Sequence, residues 1–198
     1  MRPEDGKVIA LSPRPAHGPE ELTARSDCEL MELASAGSTA SLGEIVRRHR
    51  QHLRAFCASA CGDRTAGDDM AQEVFMDLWR ARARYKPSGQ FRAYLYTLAR
   101  NRCRTFHRRR PSAAPPPISE ELPAIQLEAI LADERGRRLD TAIAALTPKL
   151  RDAVLLRFRA ELDYPEVARV LDKSEATVRS RIFLAVKALR QALDGGRE

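Results

Sequence analysis

The chain has 198 residues, 43% of them hydrophobic and 31% charged, and a formal net charge of +7. This size and hydrophobic content suit one ordinary domain or two small ones with compact cores. The positive charge favours a polyanionic partner, because a sustained positive potential attracts phosphate groups. A membrane-spanning or exported chain is not expected, since there is no run of about 18 apolar residues and the N-terminus is too polar for a secretory signal. We therefore expect a cytoplasmic protein.

Two segments interrupt the apolar patterning. Residues 1 to 25 carry scattered proline and glycine without periodicity, and we assign this segment no structure. The second break, "RPSAAPPPISEELP" at 110 to 123, contains five prolines, which favour extended chain over helix because proline lacks an amide donor. This composition predicts an interdomain linker over 111 to 133.

Four helices are predicted between these breaks. The first follows from "SDCELMELASAG", in which Ser26 and Glu29 are spaced as a capping box and Gly37 is a stop signal. The other three are predicted by apolar residues at helical spacing, over about 39 to 61, about 66 to 84 and about 90 to 109.

Further helices are predicted beyond the linker. One covers 124 to 146, and another begins at Pro148 with Thr147 as its N-cap. Asp163 and Glu166 have the spacing of a capping box for a short helix, and a four-residue connection joins that helix to a longer one. The residues expected on the inner face of the longer helix are Val178, Ile182, Ala185 and Leu189. No segment alternates as a strand does, so the predicted fold class is all-α.

The last two predicted helices have the spacing of a helix-turn-helix. In that motif the second helix enters the major groove, where polar and basic side chains in its first turns reach base edges and phosphates. An ordinary helical hairpin with surface arginines is the alternative. The candidate DNA-binding residues are Ser174, Thr177, Arg179, Ser180, Arg181 and Lys187.

Asp69, Glu73 and Asp77 recur every four residues and form an acidic stripe on one face of a predicted helix. A stripe of this kind on a basic protein is suited to a basic partner. A solvated helix face, which requires no partner, is the alternative interpretation.

The stretch "RNRCRTFHRRR" at 100 to 110 contains six arginines and no acidic residue. Together with the aromatic residues that precede it, it has the composition of a single-stranded DNA surface, since cations hold phosphates while rings stack on unpaired bases. Two of these aromatic residues, Trp79 and Phe91, are alternatively predicted to belong to the hydrophobic core. The candidate residues for this surface are Tyr85, Lys86, Tyr94, Tyr96, Arg100, Asn101, Arg104, Arg108, Arg109 and Arg110.

The cysteines and histidines give a weaker signal. Four cysteines are too few and too irregularly spaced for a disulfide framework. Zinc held between two helices is conceivable, but the chain has no CxxC or HExxH motif, and Cys57 and Cys103 fall on apolar stripes where buried thiols are ordinary. We predict no metal, no cofactor and no catalytic residue. The residues considered were His49, His52, Cys57, Cys61, Cys103 and His107.

Taken together, three segments resemble a bacterial RNA polymerase sigma factor of the extracytoplasmic-function (ECF) group. "DDMAQEVFMDLWRA" is similar to the polymerase-binding helix of that family and "FRAYLYTLARNRCRTFHRRR" to its promoter-melting and −10-reading helix. "LDYPEVARVLDKSEATVRSRI" is similar to its −35-reading helix-turn-helix. The resemblance implies two helical domains, at 26–110 and 134–194.

The resemblance also implies a function. Such a protein binds the clamp and flap regions of core RNA polymerase, reads −35 and −10 elements in duplex and melted promoter DNA, and catalyses no reaction itself. In the family the acidic helix docks on a basic coiled coil of the clamp, which assigns polymerase binding to Asp69, Gln72 and Glu73, and with them Asp77. A loop near "RYKPSGQ" is where the family captures a flipped −10 base.

Other interpretations stay open at this point. A stand-alone helix-turn-helix regulator with an N-terminal sensory or dimerisation domain would bind duplex tightly without polymerase. A zinc-dependent redox switch at the cysteines and histidines is compatible with a sigma factor. An anti-sigma protein is expected as a further partner.

Several positions depart from the family pattern. Glu161 and Asp172 stand where the family usually has glycine, and Glu161 is expected to alter the local backbone. Phe183, Leu184 and Val186 are apolar where the family commonly carries histidine or arginine toward phosphate. We expect this loss to weaken salt-dependent −35 binding, and an exposed apolar strip could pack on a protein partner instead.

Overall fold

The structure, a computed structural model, describes residues 19–86, 88–109 and 127–194. In these ranges the chain is helical, with a single 3-10 turn at Arg82–Arg84 and no strand, so the all-α prediction is confirmed. None of the described helices combines the length and hydropathy needed to cross a bilayer. The α-helices are α1 (Pro19–Ala24), α2 (Asp27–Ser35), α3 (Thr39–Cys61), α4 (Arg64–Ala81), α5 (Phe91–Arg109), α6 (Leu127–Ala145), α7 (Pro148–Phe158), α8 (Tyr164–Leu171) and α9 (Glu175–Asp194).

Local capping signals place several helix starts as predicted. In the capping box of α2, the Ser26 amide donates to Glu29 Oε2 at 2.7 Å. The Asp163 amide donates in the same way to Glu166 Oε2 at the start of α8, at 2.8 Å. Thr147 precedes α7 as predicted, but within the described part of the chain its side chain makes no capping hydrogen bond. The proline that follows it supplies helical backbone geometry and has no amide to satisfy.

The N-terminal unit packs α2, α4 and α5 around α3. Its core consists of the apolar faces that the helical spacing predicts. Gly67 allows α4 to approach α3 closely, because a Cβ atom at this position would collide with the backbone of Ala58. The fully buried residues of this core include Leu30, Met31, Ile45, Leu53, Val74, Leu78 and Leu95.

The C-terminal unit consists of α6 to α9. The helix predicted over 124 to 146 is observed at Leu127–Ala145, so it takes in the last part of the range that we assigned to the linker. Helices α8 and α9 form the predicted helix-turn-helix. All four residues expected on the inner face of α9 are buried, namely Val178, Ile182, Ala185 and Leu189.

A short helix lies within the N-terminal segment that was predicted to have no structure. Helix α1 buries Leu22, and the Arg48 guanidinium on α3 donates to the carbonyl oxygens of Leu22 at 3.2 Å and Thr23 at 2.8 Å. The prediction for residues 1 to 25 is therefore wrong at 19–24. One apolar residue and one distant arginine hold this helix, and neither produces a local period. Residues 1 to 18 lie outside the described ranges.

The two units contact each other through α5 and α3, which lie against α8 and α7 respectively. The Arg92 guanidinium on α5 donates to the carbonyl oxygens of Ala160 at 3.0 Å and Glu161 at 2.7 Å. Arg100 Nε donates to Asp152 Oδ2 on α7 at 2.7 Å. This contact places part of the predicted −10 surface against the C-terminal unit.

Candidate nucleic-acid and polymerase interfaces

The acidic stripe on α4 has an open part and an internally paired part. Asp69, Gln72 and Glu73 are exposed. Asp77 instead accepts hydrogen bonds from Arg102 on α5, at 2.5 Å from Nε and 2.6 Å from Nη2. The hydrogen bonds from Arg102 outweigh partial burial and lower the pKa of Asp77. Glu73, although exposed, also accepts a hydrogen bond from Arg102 Nη1 at 2.8 Å. Of the predicted polymerase-binding residues, Asp69 and Gln72 therefore face solvent, Asp77 holds α4 to α5, and Glu73 does both.

Met76 extends the open part of the stripe and was missed by the sequence analysis. It lies one turn beyond Gln72 and Glu73 on the same face of α4, and 51% of it is exposed. The sequence pattern could have indicated it, because Met76 falls on the helix face opposite the inner residues Val74 and Leu78. A single exposed apolar side chain is ordinary on a protein surface, so Met76 is of interest only because it lies in line with the exposed acidic residues.

The exposed polar residues of α5 lie toward its C-terminal end. Asn101 and Arg104 are exposed three residues apart, and Arg108 and Arg109 are exposed in the last turn, where cations are also favoured by the helix dipole. Arg110, also predicted to contact DNA, lies outside the described residues. The exposed residues form one continuous polar surface that is available to phosphates.

Arg100 is not part of that open surface in this arrangement. Its side chain is only 17% exposed and is paired with Asp152, which is 20% exposed. The same carboxylate is 4.0 Å from Arg104 Nε. Arg100 can therefore reach DNA only after the contact with α7 is released.

Two of the predicted tyrosines form an aromatic pair at the start of α5. The ring centroids of Tyr85 and Tyr94 are 5.4 Å apart, both rings are half-buried, and Lys86 beside them is exposed. The Tyr85 hydroxyl lies 3.7 Å from Cys28 Sγ, and burial together with this contact raises the pKa of Tyr85. Burial also raises the pKa of Tyr94.

Tyr96, also predicted to contact DNA, is a core residue here. It is 1% exposed and packs edge-on against Phe56 with ring centroids 5.4 Å apart. Its hydroxyl has no hydrogen-bond partner among the described residues. The prediction that a base reaches Tyr96 is contradicted by this packing. The physical reason is that α5 packs against both α3 and α8, so more than one stripe of it is buried. Phe91, alternatively predicted as core, is buried.

The start of α9 presents polar side chains as the helix-turn-helix prediction requires. The Thr177 amide donates to Ser174 Oγ at 3.3 Å, which confirms the predicted cap. Ser180 and Lys187 are exposed and Arg181 is half-buried. The turns that would enter the major groove therefore carry hydrogen-bonding groups and positive charge.

Arg179 is held to one side of this surface. Its guanidinium lies over the ring of Tyr164 at 4.1 Å from the centroid, and its Nη2 is 3.7 Å from Glu175 Oε2. A cation held against a ring in this way has lost part of its rotamer freedom before binding. Its side chain nevertheless stays 60% exposed, so it remains accessible from solvent.

Glu161 and Asp172 adopt the backbone that glycine normally supplies. Their φ angles are 55° and 52°, in the left-handed region. Asp172 is the C-cap of α8, and Glu161 lies in the loop before α8. Both positions thus hold a left-handed backbone with non-glycine residues, at a conformational cost of about 1–2 kcal/mol for each.

The cysteine cluster does not favour a metal or redox site. Within the described ranges, no group of three or more His, Cys, Asp or Glu side chains is arranged to hold a metal ion. A hydrogen bond with Cys103 and burial raise the pKa of Cys61, and a hydrogen bond with Cys57 and burial raise that of Cys103. His107 Nε2 lies 2.7 Å from the Ala60 carbonyl oxygen. Because the thiolate is the reactive and metal-binding form, these thiols are suited to core packing.

Comparison with known proteins matches each of the two units to a protein family. Residues 45–112 match the family Sigma-70 region 2, and residues 136–189 match the family Sigma-70, region 4. The RNA polymerase sigma-H factor of Pseudomonas aeruginosa is 28% identical over 185 residues, which cover 87% of this chain and 96% of that protein. The ECF RNA polymerase sigma factor SigE of Mycolicibacterium smegmatis is 30% identical over 159 residues, which cover 77% of this chain and 62% of that protein.

Solved structures show the same architecture. CnrH, in complex with the cytosolic domain of CnrY, is 26% identical with a TM-score of 0.68, over 85% of this chain and 97% of that chain. RpoE from Bartonella quintana, in complex with the anti-sigma factor NepR, shares the fold with a TM-score of 0.63 at 19% identity, over 77% of this chain and 96% of that chain. The fold and the two matched regions define a two-domain DNA-binding initiation factor. The chain belongs to the ECF group of RNA polymerase sigma factors.

Proposed function

We propose that this protein recruits core RNA polymerase through the open face of α4 and directs it to promoters whose −10 and −35 elements are read by α5 and α9. The observation that carries this proposal is the bridge from Arg102 on α5 to Glu73 and Asp77 on α4. It joins the outward acidic face of α4 to the cationic helix α5. DNA held by α5 is thereby oriented relative to a polymerase held by α4.

The −10 surface supports a role in opening the duplex. Flipping a base costs a few kcal/mol, and stacking on an aromatic side chain returns about 1–3 kcal/mol per base. Tyr85 and Tyr94 provide rings beside Lys86, and the exposed cations of α5 provide phosphate contacts. The protein itself makes and breaks no bond, and it acts on cytoplasmic polymerase.

Regulation by an anti-sigma protein is part of this proposal. CnrH and the Bartonella RpoE are both described in complexes, the first with the cytosolic domain of CnrY and the second with an anti-sigma factor. Their overall architecture is that of this chain. We propose that a protein of the same kind binds this chain and competes with polymerase.

An assay with sigma-free core polymerase tests the proposal. Asp69→Arg and Met76→Ala alter the open face of α4 without touching the Arg102 bridge, whereas substitution of Glu73 would disturb both. We expect Asp69→Arg to weaken association about tenfold or more, since like charges across an interface cost several kcal/mol, and run-off transcription to fall with it. Asp194→Lys at the exposed end of α9 reverses the same charge elsewhere and serves as control.

The same assay distinguishes the proposed function from the alternative function. A stand-alone regulator would bind promoter duplex tightly without polymerase, and neither Asp69→Arg nor Met76→Ala would alter its activity. Unchanged polymerase association in both variants would contradict the proposed function.

A further inference from the structure

Helix α9 carries two adjacent large apolar side chains that are open to solvent. Phe183 is 69% exposed and Leu184 is 49% exposed. Val186, which the sequence analysis grouped with them, is half-buried against the core. The exposed apolar strip therefore consists of Phe183 and Leu184 alone.

The strip is continuous with the surface proposed to read DNA. Leu184 follows Ser180 by four residues and Arg181 by three, so its Cβ lies about 5–6 Å from theirs on the same face of α9. Lys187 lies one turn beyond. The inner face of α9 points the other way, toward the core. Leu184 would thus lie within about two base pairs of the bases reached by Ser180 and Arg181, given a spacing of about 3.4 Å per base pair.

Leucine has no hydrogen-bonding group, so it cannot recognise guanine edges or phosphate oxygens. The major groove offers one apolar group to a side chain of this kind, the C5-methyl group of thymine. The charges around the strip match a groove lined by phosphates: Arg181 precedes it, Lys187 follows it, and Arg179 is held at its side by Tyr164. Charge complementarity therefore favours DNA over an apolar protein surface as the occupant.

We propose that Leu184, with Phe183 beside it, is a specificity-determining residue that packs on a thymine methyl group in the −35 element. Promoters of this protein then carry an A·T pair next to the bases contacted by Ser180 and Arg181. This inference rests on the proposed function, since it names the DNA chemistry that the same helix recognises.

The test uses the full chain bound to core polymerase. A −35 element is first selected from a randomised promoter library, and each thymine in it is then replaced singly by deoxyuridine, which lacks only the methyl group. At one thymine we expect the affinity to fall about fourfold, the effect of one buried methyl-sized group. Leu184→Ala should remove this sensitivity. Leu184→Arg should shift the preference at that position from A·T to G·C, because arginine pairs with guanine.

Leu193→Ala is the matched control, since Leu193 is an exposed leucine of α9 away from the strip, and it should retain the deoxyuridine effect. The inference is overturned if no thymine is sensitive or if Leu184→Ala keeps the full sensitivity, which is the result expected of a strip that binds a protein. Failure to bind any promoter duplex would overturn the proposed function as well. Binding without methyl sensitivity would overturn the inference alone.

Discussion

Glu161 and Asp172 adopt a left-handed backbone before and after α8. Aspartate tolerates this conformation better than glutamate, because its short side chain can hydrogen-bond locally. The Glu161 carbonyl oxygen accepts the Arg92 hydrogen bond from α5, so the strained peptide is also part of the contact between the two units. The carboxylate of Glu161 is 68% exposed and 3.9 Å from His52 Nδ1, a geometry that contributes little.

At this residue we predict that Glu161→Gly raises the stability of the C-terminal unit by about 0.5–1 kcal/mol, the relief of left-handed strain less the entropy of glycine. Thermal unfolding followed by circular dichroism should show a rise of about 4–8 °C per kcal/mol for a unit of this size. Glu161→Ala is the control, since it removes the carboxylate and keeps the strain. If the Glu161→Gly protein were no more stable than the Glu161→Ala protein, the left-handed backbone at this position would not be a source of strain.

Helices α3 and α4 meet at a position where only hydrogen fits. A Cβ atom on Gly67 would collide with the backbone of Ala58, which cannot move aside as a flexible side chain can. This close approach sets how far the outward face of α4 stands from the rest of the N-terminal unit. The packing of two elements therefore determines where the proposed polymerase surface lies.

For these two helices we predict that Gly67→Ala destabilises the N-terminal unit by about 2–3 kcal/mol, the cost of overpacking a tight contact. Gly43→Ala is a matched control in α3, where a Cβ meets nothing within 4 Å, and it should be stabilising by about 0.5–1 kcal/mol through reduced entropy of the unfolded chain. Denaturant unfolding measures both. The close approach would be contradicted if Gly67→Ala left stability unchanged, or if Gly67→Ala and Gly43→Ala changed stability by the same amount in the same direction.

In the whole molecule, the C-terminal unit covers part of the surface of α5 that is proposed to bind DNA. Arg100, which faces promoter DNA in the proposed function, is paired with Asp152 of the C-terminal unit, and Arg92 is bonded to the loop before α8. None of these bonds involves α9, so the proposed −35 surface is open while the proposed −10 surface is partly covered. In the proposed function, Arg100 must therefore leave Asp152 before it can contact the −10 element.

At this scale we predict that Asp152→Arg opens the molecule, because it places two cations together where an ion pair now stands. Small-angle X-ray scattering should show a larger radius of gyration. Affinity for a single-stranded −10 oligonucleotide should rise about three- to tenfold, the gain from one charge-assisted contact made available. Asp194→Arg changes net charge equally at a remote site. If that control raised affinity to the same degree, net charge rather than opening would be the cause.

The sequence by itself determined the features that depend on local chemistry. Capping boxes at Ser26 and Asp163, the helix periods, and the inner face of α9 could all be predicted, because each depends on residues within a few positions of one another. The resemblance of three segments to known motifs, in the same order, was sufficient to indicate the family and the predicted surfaces.

Only the tertiary structure decided which of those surfaces are open. Tyr96 is buried because α5 packs on three helices, α3, α4 and α8. Asp77 and Arg100 are paired with residues far away in the sequence, and α1 is held by Arg48. None of these contacts leaves a periodic signal. Exposure is a property of the packed chain, and a local pattern identifies a charged or aromatic side chain without showing what lies against it.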